Sequence, residues 1–212
     1  MEDMLTRTRL RIALLAAALP LATAAETDAP TAVSGDLAPL NAQGTGVTGN
    51  VTVAPRGDAL VITLDAENAP RGMHLAHVHG FATADPDDAA CPTPSDDTNG
   101  DGLVDLVEAR AAAGRAIVPL NDAPEGLDTL GGVFPLVGGT DRIGYDATVP
   151  TAALRAALEE RHGTPLALDR RVVLLHGVDR ERSLPDSLRS LDDVPAWATL
   201  PIACAELVPT GR

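Results

Sequence analysis

Lysine does not occur in this chain: all sixteen basic residues are arginine. Set against thirty acidic residues they leave a formal net charge of −14. Such a surface repels phosphate backbones and anionic headgroups, which argues against a nucleic-acid partner and against a membrane-surface partner. Aromatic residues are also scarce, at 2%, so the core has to be built from Val, Leu, Ile and Ala. With 19 Gly and 17 Pro, that composition favours many short strands and turns over a helical bundle. The apolar run from Ile12 to Ala22 is too short to span a bilayer. Preceded by Arg7, Arg9 and Arg11 and followed by the small-residue pattern Ala22-Thr23-Ala24, it reads as a signal peptide over 1–24. The expected product is exported, periplasmic or extracellular, with no membrane association after cleavage and with disulfides permitted. Residues 25–40, rich in Ala, Pro, Thr and Asp, read as a flexible lead-in. The remainder, 41–212, with 45% hydrophobic content over the whole chain, is enough for one domain with a real core.

Three of the five histidines fall within six residues, in Gly72-Met-His-Leu-Ala-His-Val-His-Gly-Phe81. His77 and His79 are two apart, so on a strand both imidazoles face the same side and can grip one metal ion. His74 has the opposite parity and reads as a buried, hydrogen-bonded structural residue. Neutral imidazole suits copper, zinc, iron or nickel. A third ligand is needed, and the candidate is His176, at the end of the apolar strand in Arg171-Val-Val-Leu-Leu-His-Gly.

Upstream, Val47, Val51 and Val53 share one parity, and Leu60, Ile62 and Leu64 alternate after the turn Pro55-Arg-Gly-Asp58. The two runs predict an antiparallel hairpin beside the histidine strand.

Beyond Phe81 the chain turns acidic and reaches Asp97-Thr-Asn-Gly-Asp-Gly-Leu-Val-Asp-Leu-Val-Glu108. Asp97, Asn99, Asp101, Asp105 and Glu108 fall at positions 1, 3, 5, 9 and 12 of a calcium loop. Gly102 holds the sharp turn, Val104 the apolar position, and Leu103 offers its backbone carbonyl. The helix that precedes such a loop in an EF-hand is missing, because Cys91-Pro-Thr-Pro94 cannot be helical throughout. A helix is expected after the loop, from Val104 to Ala113, stopping at Gly114. Farther on, Ile143, Tyr145, Ala147 and Val149 line one face of a strand. Thr151 caps a short helix over 152–161, with Leu154 and Leu158 one turn apart and a stop at Gly163. His162, at that helix end, reads as a capping or solvent-exposed residue. Cys204 is the only possible disulfide partner for Cys91.

These residues carry a resemblance. Gly72 to Phe81 resembles the copper strand of the Cu/Zn superoxide dismutases, whose pattern is Gly-Leu-His-Gly-Phe-His-Val-His-Glu-Phe. Val172 to Gly177 resembles their later copper strand, and Ile202-Ala-Cys204 their terminal Leu-Ala-Cys. The likeness covers roughly 41–208. It implies an all-β fold, an eight-stranded Greek-key β-barrel, with His77, His79 and His176 as catalytic copper ligands, His74 as a structural histidine and a Cys91–Cys204 disulfide. It also implies superoxide as the substrate.

The departures from that family are as informative. Between His79 and His176 the only histidine is His162, so neither the bridging histidine nor the zinc histidines of the family have counterparts, and no zinc is expected. The calcium loop stands in that region instead. The family's substrate-guiding arginine, three residues before the last cysteine, is replaced by Pro201. The expected function is therefore an exported, zinc-free copper protein of superoxide dismutase type, slow in dismutation. The alternatives are a non-catalytic copper-binding protein, or a calcium-stabilised interaction module, on the same barrel.

Overall fold

The computed structural model describes residues 30–41, 46–191 and 193–211. The expected signal peptide and the first residues of the lead-in lie outside them. The fold is mostly β-structure with few helices. Alternation of small aliphatic residues makes its first three strands: β1 (Val33–Pro39), β2 (Thr48–Arg56) and β3 (Ala59–Glu67). Val33 and Leu37, Val51 and Val53, and Leu60, Ile62 and Leu64 all point inward and are buried. The β2–β3 hairpin is in register from Thr48↔Glu67 to Arg56↔Ala59, so the strands extend through Pro55 and Arg56, and only Gly57 and Asp58 turn.

Strand β1 corrects the expected boundary. The composition of 25–40 predicts a flexible lead-in, yet β1 pairs with β2 along five residues. Ala, Pro, Thr and Asp around it hide an alternation, Val33-Ser-Gly-Asp-Leu37, too short to stand out in sequence.

Next come β4 (Gly72–Met73), β5 (Ala76–Gly80), α1 (Leu106–Ala113) and β6 (Arg115–Pro119). They are followed by β7 (Leu136–Val137), β8 (Ile143–Pro150) and α2 (Thr151–His162). The chain closes with β9 (Val172–His176), α3 (Ala196–Thr199), β10 (Pro201–Glu206) and β11 (Val208–Pro209). The main antiparallel sheet runs β6-β5-β9-β10-β1-β2-β3-β8, with β11 also on β1, while β4 and β7 form a separate pair. A sheet this wide twists and curls on itself into a half-barrel. Leu60, Ile62, Leu64, Ile117, Leu175 and Ile202 fill its concave side, which is how a protein almost without aromatics obtains a core.

Helix α2 departs from expectation at its start. Thr151 is its first residue and the cap position is Pro150, with no side-chain cap; Thr151 instead donates its backbone N–H to the Asp58 carbonyl. Leu154 and Leu158 are its buried face, and Gly163 ends it in the left-handed conformation.

Strands β5 and β9 are buried along their whole length and pair antiparallel, with His79 opposite Val172. Gly80 is required by a close approach: a Cβ there would lie 2.3 Å from the Arg171 guanidinium. Arg171 is 1% exposed. Its guanidinium donates to the carbonyls of Phe81, Leu166 and Pro165 and to the Thr164 hydroxyl. Burial pulls its pKa down to about 10, so it is still a cation at neutral pH.

Candidate metal centre

The fold brings His77 and His79 on β5 and His176 at the end of β9 together, as the parity of the strands requires. One ring nitrogen from each lies within 4.8 Å of the others, and all three residues are buried. The tautomers follow from the neighbours. His77 Nε2 is 2.8 Å from the Thr129 carbonyl, which can only accept, so Nε2 carries the proton and Nδ1 presents a lone pair. That Nδ1 is buried without a partner. His176 Nδ1 donates to the Thr199 carbonyl at 2.8 Å, leaving Nε2 as its lone pair, 3.4 Å from His79 Nε2.

Burial disfavours imidazolium at each position. It lowers the His77 pKa to about 4, against the opposing pull of the Thr129 carbonyl. Burial followed by the nearby His77 lowers that of His176 to about 3, and burial together with the other two histidines holds His79 well below its ordinary value. Three neutral imidazoles are therefore gathered at one point at pH 7. Two lone pairs oriented by carbonyl partners, at His77 Nδ1 and His176 Nε2, with His79 Nε2 beside the latter, are the donor set a metal ion fits.

The partners that orient the triad are backbone carbonyls. Asp128 holds the turn carrying Thr129 by accepting from the N–H groups of Leu130 and Gly131, and Asn121 clamps the carbonyls of Asp128 and Gly131. Phe134 packs edge-on against His77. His74 faces away, with its ring nitrogens against the carbonyls of Pro70 and His176, so it braces the strand that ends in the third histidine.

A cavity of about 160 Å³ opens onto the triad. Leu106 and Arg110, one turn apart on α1, line it together with Gly114 and Arg115. Pro201 is buried at the start of β10 and brings no charge, and Arg71 is exposed and does not line the cavity. His162 differs from its expected role. It is half-buried, its Nδ1 accepts from Arg115 at 3.1 Å, and burial followed by Arg115 and Arg161 lowers its pKa, so a hydrogen-bond acceptor stands where a capping or solvent-exposed residue is expected.

The acidic loop is built differently from the triad. Asp97 accepts from the N–H groups of Gly100 and Gly102, Asn99 from that of Asp101, and Asp101 from that of Leu103. Asp105 is the N-cap of α1, and Glu108 closes a capping box with it. Both are buried, and Arg189 ion-pairs with both at 3.0 Å. Ser187 donates to Asp101. Among the described residues the histidine triad is the only group of His, Cys, Asp and Glu whose donor atoms converge. The loop's carboxylates are spread over amides, a hydroxyl and one guanidinium. Arg189 lies more than eighty residues downstream, which is why the loop sequence gives no hint of it.

Cys91 and Cys204 are joined, with Cα atoms 5.7 Å apart, tying the long acidic loop to β10. No helix among the described residues is long and apolar enough to cross a membrane.

Sequence reasoning missed Thr129 and Thr199, because they act through carbonyls that every residue has, and it missed Arg110 and Arg115. A helical wheel over 106–113 would have placed Arg110 beside Leu106; only the fold puts that face over the histidines. Comparison with protein-family models finds no match, and comparison with curated proteins finds no significant one.

Proposed function

We propose that this chain is an exported copper protein of superoxide dismutase type, zinc-free and slow in dismutation. The observation that carries the reading is the buried triad, His77 Nδ1, His79 Nε2 and His176 Nε2, with two tautomers fixed by carbonyls and all three rings neutral. Three imidazoles without a thiolate or carboxylate suit copper in either oxidation state. The strand order supports the barrel type. Numbered along the chain, the eight longer strands lie as 5-4-7-8-1-2-3-6, the arrangement of a Greek-key barrel opened between its fifth and sixth strands. Copper would supply a one-electron couple there, through which two superoxide anions and two protons give dioxygen and hydrogen peroxide. The residues hold and orient; they offer no histidine bridge to a second metal and no evident proton relay, hence the expectation of slow turnover.

Metal analysis decides this reading. Wild-type protein from its own compartment is expected to hold one copper, and His77→Ala/His79→Ala none. Equal copper in both sinks the site. A wild-type superoxide rate near the diffusion limit, measured with free copper removed, sinks the claim of slowness.

The same reading includes a structural calcium ion in the loop 97–108, on the support of its ligand order and of the helix that follows. Its competitor is internal, since Arg189 already neutralises Asp105 and Glu108. Calcium is therefore expected to raise the melting temperature of wild type modestly, that of Arg189→Ala more, and that of Glu108→Ala not at all. Calorimetry with and without chelator checks this, and indifference of both wild type and Arg189→Ala to the chelator rules calcium out.

A further inference from the structure

The histidine cavity has a second, outer hollow beside it, lined by Gly80, Phe81 and Ala82, and the two share Arg110, Gly114 and Arg115. We propose that Arg110 and Arg115 form an anion-binding entrance to the triad, admitting a small monovalent anion along helix α1. The inference rests on the metal-centre reading for what the anion reaches; the two guanidinium groups bind it in either case.

The charges are placed for this task. Arg110 is exposed at the mouth, where it lines both hollows, and forms no ion pair with another described residue. The acids of its own helix are turned away, Glu108 and Asp105 being buried against Arg189. Arg115 is held by donating to neutral His162, which leaves its charge uncompensated by that partner. Gly114 lies between the two arginines and lines both hollows, and its backbone packs directly on that of Gly80, where a Cβ would not fit, so the wall the two hollows share is backbone at this point. In a molecule of net charge −14, an anion finds its favourable potential where two unneutralised cations rim a low-dielectric cleft. The arginines govern capture and affinity, and they leave the proton-coupled half of turnover as slow as before.

Azide serves as the probe, read from its charge-transfer band on copper-loaded protein. Arg110→Gln is expected to weaken azide about tenfold and to flatten its salt dependence, as loss of one partly screened charge near the site requires. Arg110→Lys should restore most of the affinity, Arg115→Gln should have a smaller effect, and the surface control Arg142→Gln none. Copper content and melting temperature should be unchanged in all of them, because neither arginine is a ligand. If the double variant Arg110→Gln/Arg115→Gln binds azide as wild type does, the entrance is overturned and the metal centre stands. If wild type holds no copper, the metal reading fails, and the titration is read on metal-free protein from the side-chain N–H signals of Arg110 and Arg115. Movement of those signals then upholds the entrance, and their indifference overturns it too.

Discussion

Removing the Cys91–Cys204 disulfide is expected to cost about 5 kcal/mol of unfolding free energy, the chain-entropy value for a loop of this length. The bridge spans 113 residues, so it restricts most of the unfolded chain. In the native state it is reinforced by the Cys91 N–H, which donates to Glu206 at 3.0 Å. Urea unfolding of wild type against Cys91→Ser/Cys204→Ser checks the figure. A difference below about 1 kcal/mol would mean that the unfolded chain gains little freedom when the bridge is lost. The bridge also fixes one end of the segment leading to the acidic loop and α1, so its loss should loosen the wall of the histidine cavity.

Replacing Arg171 with Met is expected to destabilise the protein by about 3 to 4 kcal/mol, because four acceptors, those of Thr164 and Leu166 on buried residues, lose their donor at once. The carbonyls of Phe81, Leu166 and Pro165 and the Thr164 hydroxyl converge on one guanidinium. Arg171 precedes β9, which ends in His176, and it lies against Gly80, the residue after His79. On the copper reading proposed above, the variant should therefore lose its metal as well as stability. Gly80→Ala should act in the same direction, since its Cβ would enter the space of the guanidinium. Thermal melts and copper content measured together test the link. A variant that melts several degrees lower yet keeps full copper separates the two effects and refutes it.

The residues of the site that speak through side-chain type were legible in the sequence. His77 and His79 are paired by strand parity, His176 ends an apolar run, and the two cysteines had only each other. The β2–β3 hairpin showed in its alternation. What escaped was whatever depends on distant segments meeting. Arg189 reaches Asp105 and Glu108 from a loop with no pattern of its own. Thr129 and Thr199 contribute carbonyls, which carry no residue signature. β1 escaped because its alternation is short and its surroundings are compositionally those of a linker. His162 stands at a helix end whose local sequence carries no sign of Arg115, the donor that reaches it from β6.

The place of β1 has a consequence for how the chain acquires its structure. Its first residues pair with β2, but Ala38 and Pro39 pair with Cys204 and Ala203. The middle of the main sheet is thus a seam between the earliest and the latest strands, joined across nearly the whole length of the chain. Contacts of such range form slowly, because loop closure precedes any gain from pairing. Until β10 is made, β1 and β9 each lack a neighbour, and the sheet cannot be completed. The sheet of such a topology closes only once strands from the two ends of the described chain have met.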